Sequence, residues 1–245
     1  MPVLSAGNWG GAGLHLRGNT RGYELAASEK KWLTMHDDAH WSLFYATYGL
    51  DLQKRFFEAF LKGDDSAWAD QPAVQLRTRQ VDGSVAERHG SHWPLPDTEW
   101  TAMHLDATHE SMGPDPVEAS ASTSYHGIEG RRSFSYVAPR QIEIAGPLSA
   151  KLYLESSTAD TDVFLVLRAF APDGTEVVFQ GGHDPHTPIA QGWLRASHRA
   201  LDQDSHDRSF PSTPTTTPSR SPPASSTSST SRSGRRASSS PRVTD

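Results

Sequence analysis

The sequence predicts an α/β segment, then an all-β domain, then a disordered tail. Residues 1–62 alternate short apolar runs with amphipathic stretches, which is the strand–helix–strand–helix order of an α/β sheet. Residues 72–202 change to short alternating runs broken by turn residues, as in a β-sandwich or jelly roll. Residues 210–245 are dominated by Ser, Thr and Pro and cannot bury enough apolar surface to become ordered. We therefore divide the chain into residues 1–65, 72–207 and 208–245.

The α/β part is expected to begin with a strand over residues 2–9, which runs into a glycine-rich loop. A helix over residues 19–28 follows, and its inner face consists of Tyr23, Ala26 and Ala27. A second strand covers residues 30–35. Two parallel strands make an incomplete sheet, and a unit of this size buries too little surface to fold alone. The chain is therefore expected to begin within an α/β domain.

Most of the candidate chemistry lies in residues 30–62. A polar loop follows the second strand and contains His36, Asp37, Asp38 and His40. A long amphipathic helix comes next, with an apolar stripe formed by Leu52, Phe56, Phe57, Phe60 and Leu61. A histidine in a loop after a buried strand can act as a general base, because its pKa is near neutrality.

Two other interpretations of this loop stay open. His36 and His40 can be surface residues at the start of the following helix, with Asp37 and Asp38 near its positive N-terminal end. The His-x3-His spacing also allows a metal site, although a loop suits a two-histidine ligand pair less well than a helix does. A second candidate metal pair, His183 and His186, is better explained as a polar turn between strands.

The sequence lacks the other parts of a serine-hydrolase triad. No Gly-x-Ser-x-Gly motif occurs, so a serine nucleophile would have to lie upstream of Met1. The acid of such a triad follows an earlier strand, and here that loop, residues 8–13, contains no carboxylate. Either another group orients the histidine or the acid lies upstream. Asp37 and Asp38 are alternatives, but they adjoin the histidine loop too closely for triad geometry.

The β part is marked by turn signals and alternating runs. Asp82-Gly83 and Asp173-Gly174 predict hairpins. Residues 161–170 form the best candidate for a central strand. Further strands are expected over residues 74–78, 134–137, 141–144, 150–155, 176–179 and 193–199.

Composition excludes several classes of function. A net charge of −6 gives no reason to expect nucleic-acid binding, and the scattered arginines of the tail are better explained as a solvated segment. The absence of cysteine excludes disulfides, a thiol nucleophile and cysteine-ligated metals. No apolar run has the length of a membrane helix, and the N-terminus does not resemble a signal peptide. We therefore expect a cytoplasmic protein without a cofactor, and homo-oligomerisation stays open.

Several ordered motifs resemble a known family. PVLSAGNWGGAGLHLRGNTRGY, KKWLTMHDDAHWSLFY, LQKRFFEAFLKG and GWLRASHRALD are similar to segments of the cocaine-esterase / X-Pro dipeptidyl-peptidase (CocE/NonD) family of serine hydrolases. The resemblance spans roughly residues 2–207. It implies the C-terminal remnant of an α/β-hydrolase domain followed by a galactose-binding-like jelly roll.

The resemblance also implies roles for individual residues. It places the catalytic acid at the position of Gly11, so the acid is unknown, and it makes His40 the best candidate for the catalytic base and His36 the second. The family's nucleophile belongs to a region that this sequence does not contain. The family's sandwich continues past residue 207, where the Ser/Thr/Pro segment stands here; a shift of reading frame would explain this, and translating the other frames downstream would test it.

The resulting hypothesis is a fragment of a serine hydrolase that transfers the acyl group of an ester or X-Pro peptide to water. The fragment is expected to be inactive alone, because it has a base and no nucleophile. The alternatives are a ligand- or carbohydrate-binding β-sandwich module without catalysis and an interaction protein with a disordered basic tail.

Overall fold

The computed structural model describes residues 1–199. The predicted disorder of residues 208–245 therefore concerns a segment outside the described residues. The described chain contributes to two compact units, one formed by residues 1–97 and 164–193 and the other by residues 98–163 and 194–199.

A four-stranded mixed sheet forms the core of the first unit. Its strands are β1 (Val3–Asn8), β2 (Lys31–His36), β3 (Val74–Arg79) and β4 (Val85–Gly90), in the order β1-β2-β3-β4. β1, β2 and β3 are parallel, and β4 is antiparallel to β3. In the register of β1 and β2, Asn8 lies opposite His36. The carboxyl ends of both strands therefore meet at one edge of the sheet.

The two inner strands of this sheet are buried at most positions, including several that carry polar side chains. The last four residues of β2, from Leu33 to His36, are all buried, and the first three residues of β3 are buried as well. A strand that is covered on both faces has such a continuous pattern. Leu33, Met35, Val74 and Leu76 are among the largest fully buried side chains of the described residues.

Three helices accompany the parallel strands: α1 (Leu16–Leu25), α2 (Ser42–Tyr45) and α3 (Thr47–Lys62). α3 ends at Gly63, whose positive φ of 78° is the left-handed conformation that glycine adopts readily at a helix end. Short 3-10 helices cover Trp9–Gly11, Asp65–Trp68 and Ala196–His198.

An aromatic cluster joins α3 to the sheet. Phe56 and Phe60 of α3 pack around Trp32 and Trp68, with ring centroids 4.9–6.3 Å apart. Trp68 is buried as well, in the 3-10 helix Asp65–Trp68 that follows α3. Its position depends on contacts with residues distant in the sequence, which local composition does not reveal.

Two helix predictions need correction. α1 begins three residues before the predicted start at residue 19 and ends at Leu25, and Ala27 is exposed rather than on an inner face. In α3, Leu52 is buried, whereas Phe57 and Leu61 are exposed. The apolar stripe of α3 is wider than the surface that the aromatic cluster covers.

The remaining strands form small sheets. They are β5 (His104–Asp106), β6 (Ser111–Gly113), β7 (Asp162–Leu167), β8 (Ala169–Phe170), β9 (Glu176–Val177) and β10 (Ala190–Arg195). β5 pairs with β6, β7 with β10 and β8 with β9. Both predicted hairpins are present, and the glycine of each turn, Gly83 and Gly174, has the positive φ that such turns require.

The structure differs from the predicted β-sandwich in three respects. Residues 74–78 belong to β3 of the mixed sheet. Residues 134–137, 141–144 and 150–155 form no strand. β7 is paired on one side only and Phe164 within it is exposed, so it is not a central strand. An alternating run forms a strand only where another strand offers its edge, which depends on tertiary contacts. Among the described residues, the part of the chain after β4 forms small two-stranded sheets.

No helix within residues 1–199 combines the length and the apolar character that crossing a membrane requires.

Candidate functional site

The loop after β2 holds His40 at the carboxyl edge of the mixed sheet. Asp38 Oδ1 accepts a hydrogen bond from the Ala39 N–H at 2.7 Å, and the Ala39 carbonyl accepts one from the Ser42 N–H at 3.2 Å. Ala39 is buried and His40 is exposed. These local bonds turn the chain into α2, so the His40 side chain is presented at the surface of the sheet edge.

Asn8 is the residue of β1 that reaches His40. Its side chain is only 1% exposed. Asn8 Nδ2 donates to the carbonyl of Asp38 at 3.1 Å, and Asn8 Oδ1 lies 3.3 Å from His40 Nδ1. The sequence analysis identified His40 as the best candidate base and did not single out Asn8. A polar residue at the last position of a predicted strand was the available signal, because the ends of parallel strands meet at one edge of a sheet.

His15 covers one face of the His40 ring. The two imidazoles are stacked, with centroids 4.6 Å apart and planes 21° from parallel. His15 is the residue immediately before α1, which begins at Leu16. Both rings line an open surface depression, whose other lining residues are Ala6, Leu14, Gly18 and Asn19. A reacting group can therefore approach His40 from solvent.

The two aspartates of the loop have structural partners. Asp37 forms an ion pair with Arg77 of β3 at 3.0 Å, and Arg77 also lies 3.3 Å from Glu87 of β4. The Asp38 carboxylate accepts a hydrogen bond from the Ala39 backbone N–H in its own loop. Neither contact directs a carboxylate to a ring nitrogen of His40. The alternative that Asp37 or Asp38 serves as a triad acid thus has no support in these contacts.

His36, the second-choice base, lies at the end of β2 with its ring buried. It is 8% exposed, and its Nδ1 atom has no hydrogen-bond partner among the described residues. Burial lowers the pKa of His36 below the ordinary value of 6.5, and the nearby carboxylates of Asp37 and Asp38 oppose this shift. Its assignment as a second-choice base stays a prediction.

This burial predicts a stability effect at mildly acidic pH. The unfolded chain protonates His36 at about pH 6.5, whereas the folded chain does so only at lower pH. The unfolded state thus binds more protons in that interval, and the free energy of unfolding should fall as the pH drops below about 6.5. Urea unfolding across this range should show a weaker pH dependence in His36→Gln than in the unmodified chain.

The matched control is His92→Gln, since His92 is exposed. It should retain the pH dependence of the unmodified chain. A His36→Gln variant whose stability follows pH as steeply as that of the unmodified chain would contradict the assignment of this effect to His36.

Gly11, where the resemblance places the acid, lies beside Asn8. It is buried in the 3-10 helix Trp9–Gly11. A Cβ atom at position 11 would stand 2.7 Å from Asn8 Oδ1 and 3.9 Å from His15 Cβ. A contact of 2.7 Å is shorter than real Cβ atoms tolerate. A side chain at the position expected to hold the acid would therefore require the Asn8 amide to move.

Residues 1–199 contain no group of three or more His, Asp or Glu side chains that could hold a metal ion. At the second candidate metal pair, Asp184 accepts the His186 N–H at 2.8 Å through its side chain. The backbone carbonyl of Asp184 also accepts a hydrogen bond from the Gly181 N–H at 2.8 Å. These bonds describe a turn, as the sequence indicated.

Comparison with known proteins identifies the chain's relatives. Residues 66–226 match the family of the X-Pro dipeptidyl-peptidase C-terminal non-catalytic domain. The chain is 26% identical over 184 residues to the cocaine esterase of Rhodococcus sp., covering 56% of this chain and 31% of the esterase. Two crystal structures of a CocE/NonD family hydrolase from Staphylococcus aureus superpose with TM-scores of 0.82 and 0.81, at 31% and 32% identity. They cover 87% and 86% of this chain.

These similarities show that the chain is a relative of the CocE/NonD hydrolases, as its motifs predicted. Because the family match covers more than half of its residues, the chain belongs to the X-Pro dipeptidyl-peptidase C-terminal domain family. It spans 31% of the length of the esterase and 39% of that of the S. aureus hydrolase.

Proposed function

We propose that this chain supplies the base-bearing part of a serine hydrolase, which transfers the acyl group of an ester or an X-Pro peptide to water. The single observation that carries this proposal is the setting of His40. One ring nitrogen is engaged by a buried side chain, while the ring lines an open depression at the carboxyl ends of the parallel strands β1 and β2. The relationship to CocE/NonD hydrolases supports acyl transfer as the reaction class.

In this mechanism His40 acts on a serine hydroxyl that the nucleophile-bearing part of the hydrolase contributes. His40 Nε2 accepts the proton as the serine oxygen attacks the substrate carbonyl. The resulting imidazolium then donates that proton to the departing alcohol or amine, and the acyl-serine remains. Water repeats the sequence of steps and releases the acid. Backbone N–H groups that hold the oxyanion would come from the same hydrolase portion as the serine.

The β part has a separate role in this proposal. We expect residues 72–207 to belong to a jelly-roll module of galactose-binding-like fold, although the mixed sheet already includes β3 and β4. The family description of this domain as non-catalytic agrees with a supporting role.

The proposal is tested by a chimera in which this chain replaces the matching part of the S. aureus hydrolase. The chimera supplies the nucleophile, so it is expected to hydrolyse p-nitrophenyl acetate or an X-Pro p-nitroanilide if the parent enzyme does. The 245-residue chain alone should hydrolyse neither. A folded chimera with no activity on the parent's substrates would count against the proposal, and so would activity of the isolated chain.

The second candidate function is ligand binding by the β part, which its classification as non-catalytic favours. Trp193 of β10 and Phe164 of β7 are 58% and 71% exposed, and exposed aromatic rings are common in carbohydrate sites. Binding of the chain to a glycan array, lost on Trp193→Ala, would support this function.

A further inference from the structure

We propose that Asn8 replaces the triad carboxylate as the residue that positions His40, and that it holds the imidazole in the tautomer with hydrogen on Nδ1. The catalytic meaning of this inference rests on the proposed function. The tautomer itself is a property of the 245-residue chain and can be measured without any activity.

The direction of the Asn8 amide decides the tautomer. Nδ2 carries only hydrogen-bond donors, and its bond to the Asp38 carbonyl at 3.1 Å leaves Oδ1 facing His40. An amide oxygen can only accept, so the hydrogen in the 3.3 Å contact must belong to His40 Nδ1. His40 Nε2 then carries the lone pair, which is the form that a general base requires.

The bond to Asp38 also resolves a difficulty with asparagine in this role. In a serine-protease triad, an asparagine in place of the acid leaves the geometry intact but selects the wrong histidine tautomer. Here a rotation of the Asn8 amide would break the bond to the Asp38 carbonyl within a site where Asn8 is almost fully buried. A buried donor without an acceptor is costly, so this rotation is opposed.

Gly11 completes the arrangement. Because a Cβ atom at position 11 would lie 2.7 Å from Asn8 Oδ1, a carboxylate at position 11 and the amide at position 8 compete for the same space. The absence of a side chain at position 11 and the position of the Asn8 amide are therefore linked. A carboxylate restored at position 11 should take over the contact with His40 when the Asn8 side chain is removed.

The experiment uses the full chain with ¹⁵N-labelled histidine and long-range ¹H–¹⁵N spectra at alkaline pH, where imidazoles are neutral. The His40 signals are assigned by their loss in His40→Gln. In the unmodified chain, Nδ1 should show the shift of a protonated nitrogen and Nε2 that of an unprotonated one. Asn8→Ala should move both signals toward the opposite tautomer, and the Asn8→Ala/Gly11→Asp double variant should return them.

The matched control is Asn19→Ala. Asn19 lines the same depression but donates to the Ala6 carbonyl, at 2.9 Å, so its loss should leave the His40 tautomer unchanged. Gly11→Asp alone should lower the thermal stability, and the double variant should recover part of that loss. Circular dichroism checks that each variant is folded.

Two results would overturn the inference. One is an unmodified chain in which His40 carries its hydrogen on Nε2, and the other is an unchanged His40 spectrum in folded Asn8→Ala. Both are independent of the chimera's activity. Failure of the proposed function, seen as a folded but inactive chimera, is therefore distinguishable from failure of this positioning role.

Discussion

Replacing His40 by alanine in the chimera with the S. aureus hydrolase is expected to lower kcat for p-nitrophenyl acetate by at least ~10⁴-fold. Without His40, no group of the depression is held by a buried partner in a position to take the serine proton. KM should change little, because the imidazole contributes to the transition state more than to binding of a small ester. Steady-state kinetics of the two chimeras measure both quantities.

Two further variants make this prediction specific. His36→Ala should retain most of the rate, because the His36 ring is buried at the end of β2. His92→Ala should retain all of it, since His92 is exposed and is not among the residues of the depression. If the chimera keeps its rate in His40→Ala and loses it in His36→Ala, the general base is His36 and not His40. Equal losses in all three variants would indicate general destabilisation.

Gly49→Ala is expected to destabilise the chain by about 3 kcal/mol, as overpacking at a fixed backbone contact does. Gly49 lies in the first turn of α3, and a Cβ atom there would stand 1.9 Å from the carbonyl oxygen of Leu43 in α2. The obstructing atom belongs to the backbone, so no change of side-chain rotamer can relieve the clash. The two helices would have to separate, and α2 follows directly on the His40 loop. Urea unfolding measures the loss.

Gly18→Ala and Gly22→Ala are the matched controls for Gly49→Ala. Both glycines also lie within a helix, α1, but no atom lies within 4 Å of a Cβ built on either one. Alanine should therefore stabilise α1 by about 0.5–1 kcal/mol at each position, because it restricts the unfolded chain and favours the helix. A loss of stability in these variants similar to that in Gly49→Ala would contradict the assignment of the Gly49→Ala effect to the contact with the Leu43 carbonyl.

The elements that sequence analysis placed correctly depend on local patterns. The apolar run of β2 and the amphipathic stretch of α3 identify themselves within a few residues. The turns at Gly83 and Gly174 follow from the conformational freedom of glycine next to aspartate. His40 emerged as a candidate because it follows a buried strand and matches a family motif, and the structure places it beside an open depression.

The features that sequence analysis missed depend on contacts between distant residues. β3 pairs with β2 in the mixed sheet because Val74 meets Leu33 across the ladder, although its alternating pattern suited a sandwich equally well. Residues 150–155 alternate as a strand does but form none, since an edge must be available for pairing. Trp68 is buried by Trp32 and Phe56, which local composition could not indicate.

By itself, the sequence determined the class of relatives, the order of the first strands and helices, and the histidine to consider first. Only the tertiary structure decided how that histidine is held. Asn8 and His40 are separated by 32 positions, and they meet because two parallel strands end at the same edge of a sheet. The structure also explains the glycine at position 11, because the Asn8 amide occupies the space beside it at the same edge of the sheet. Position along the chain cannot specify such a contact, since it depends on the pairing register of the strands.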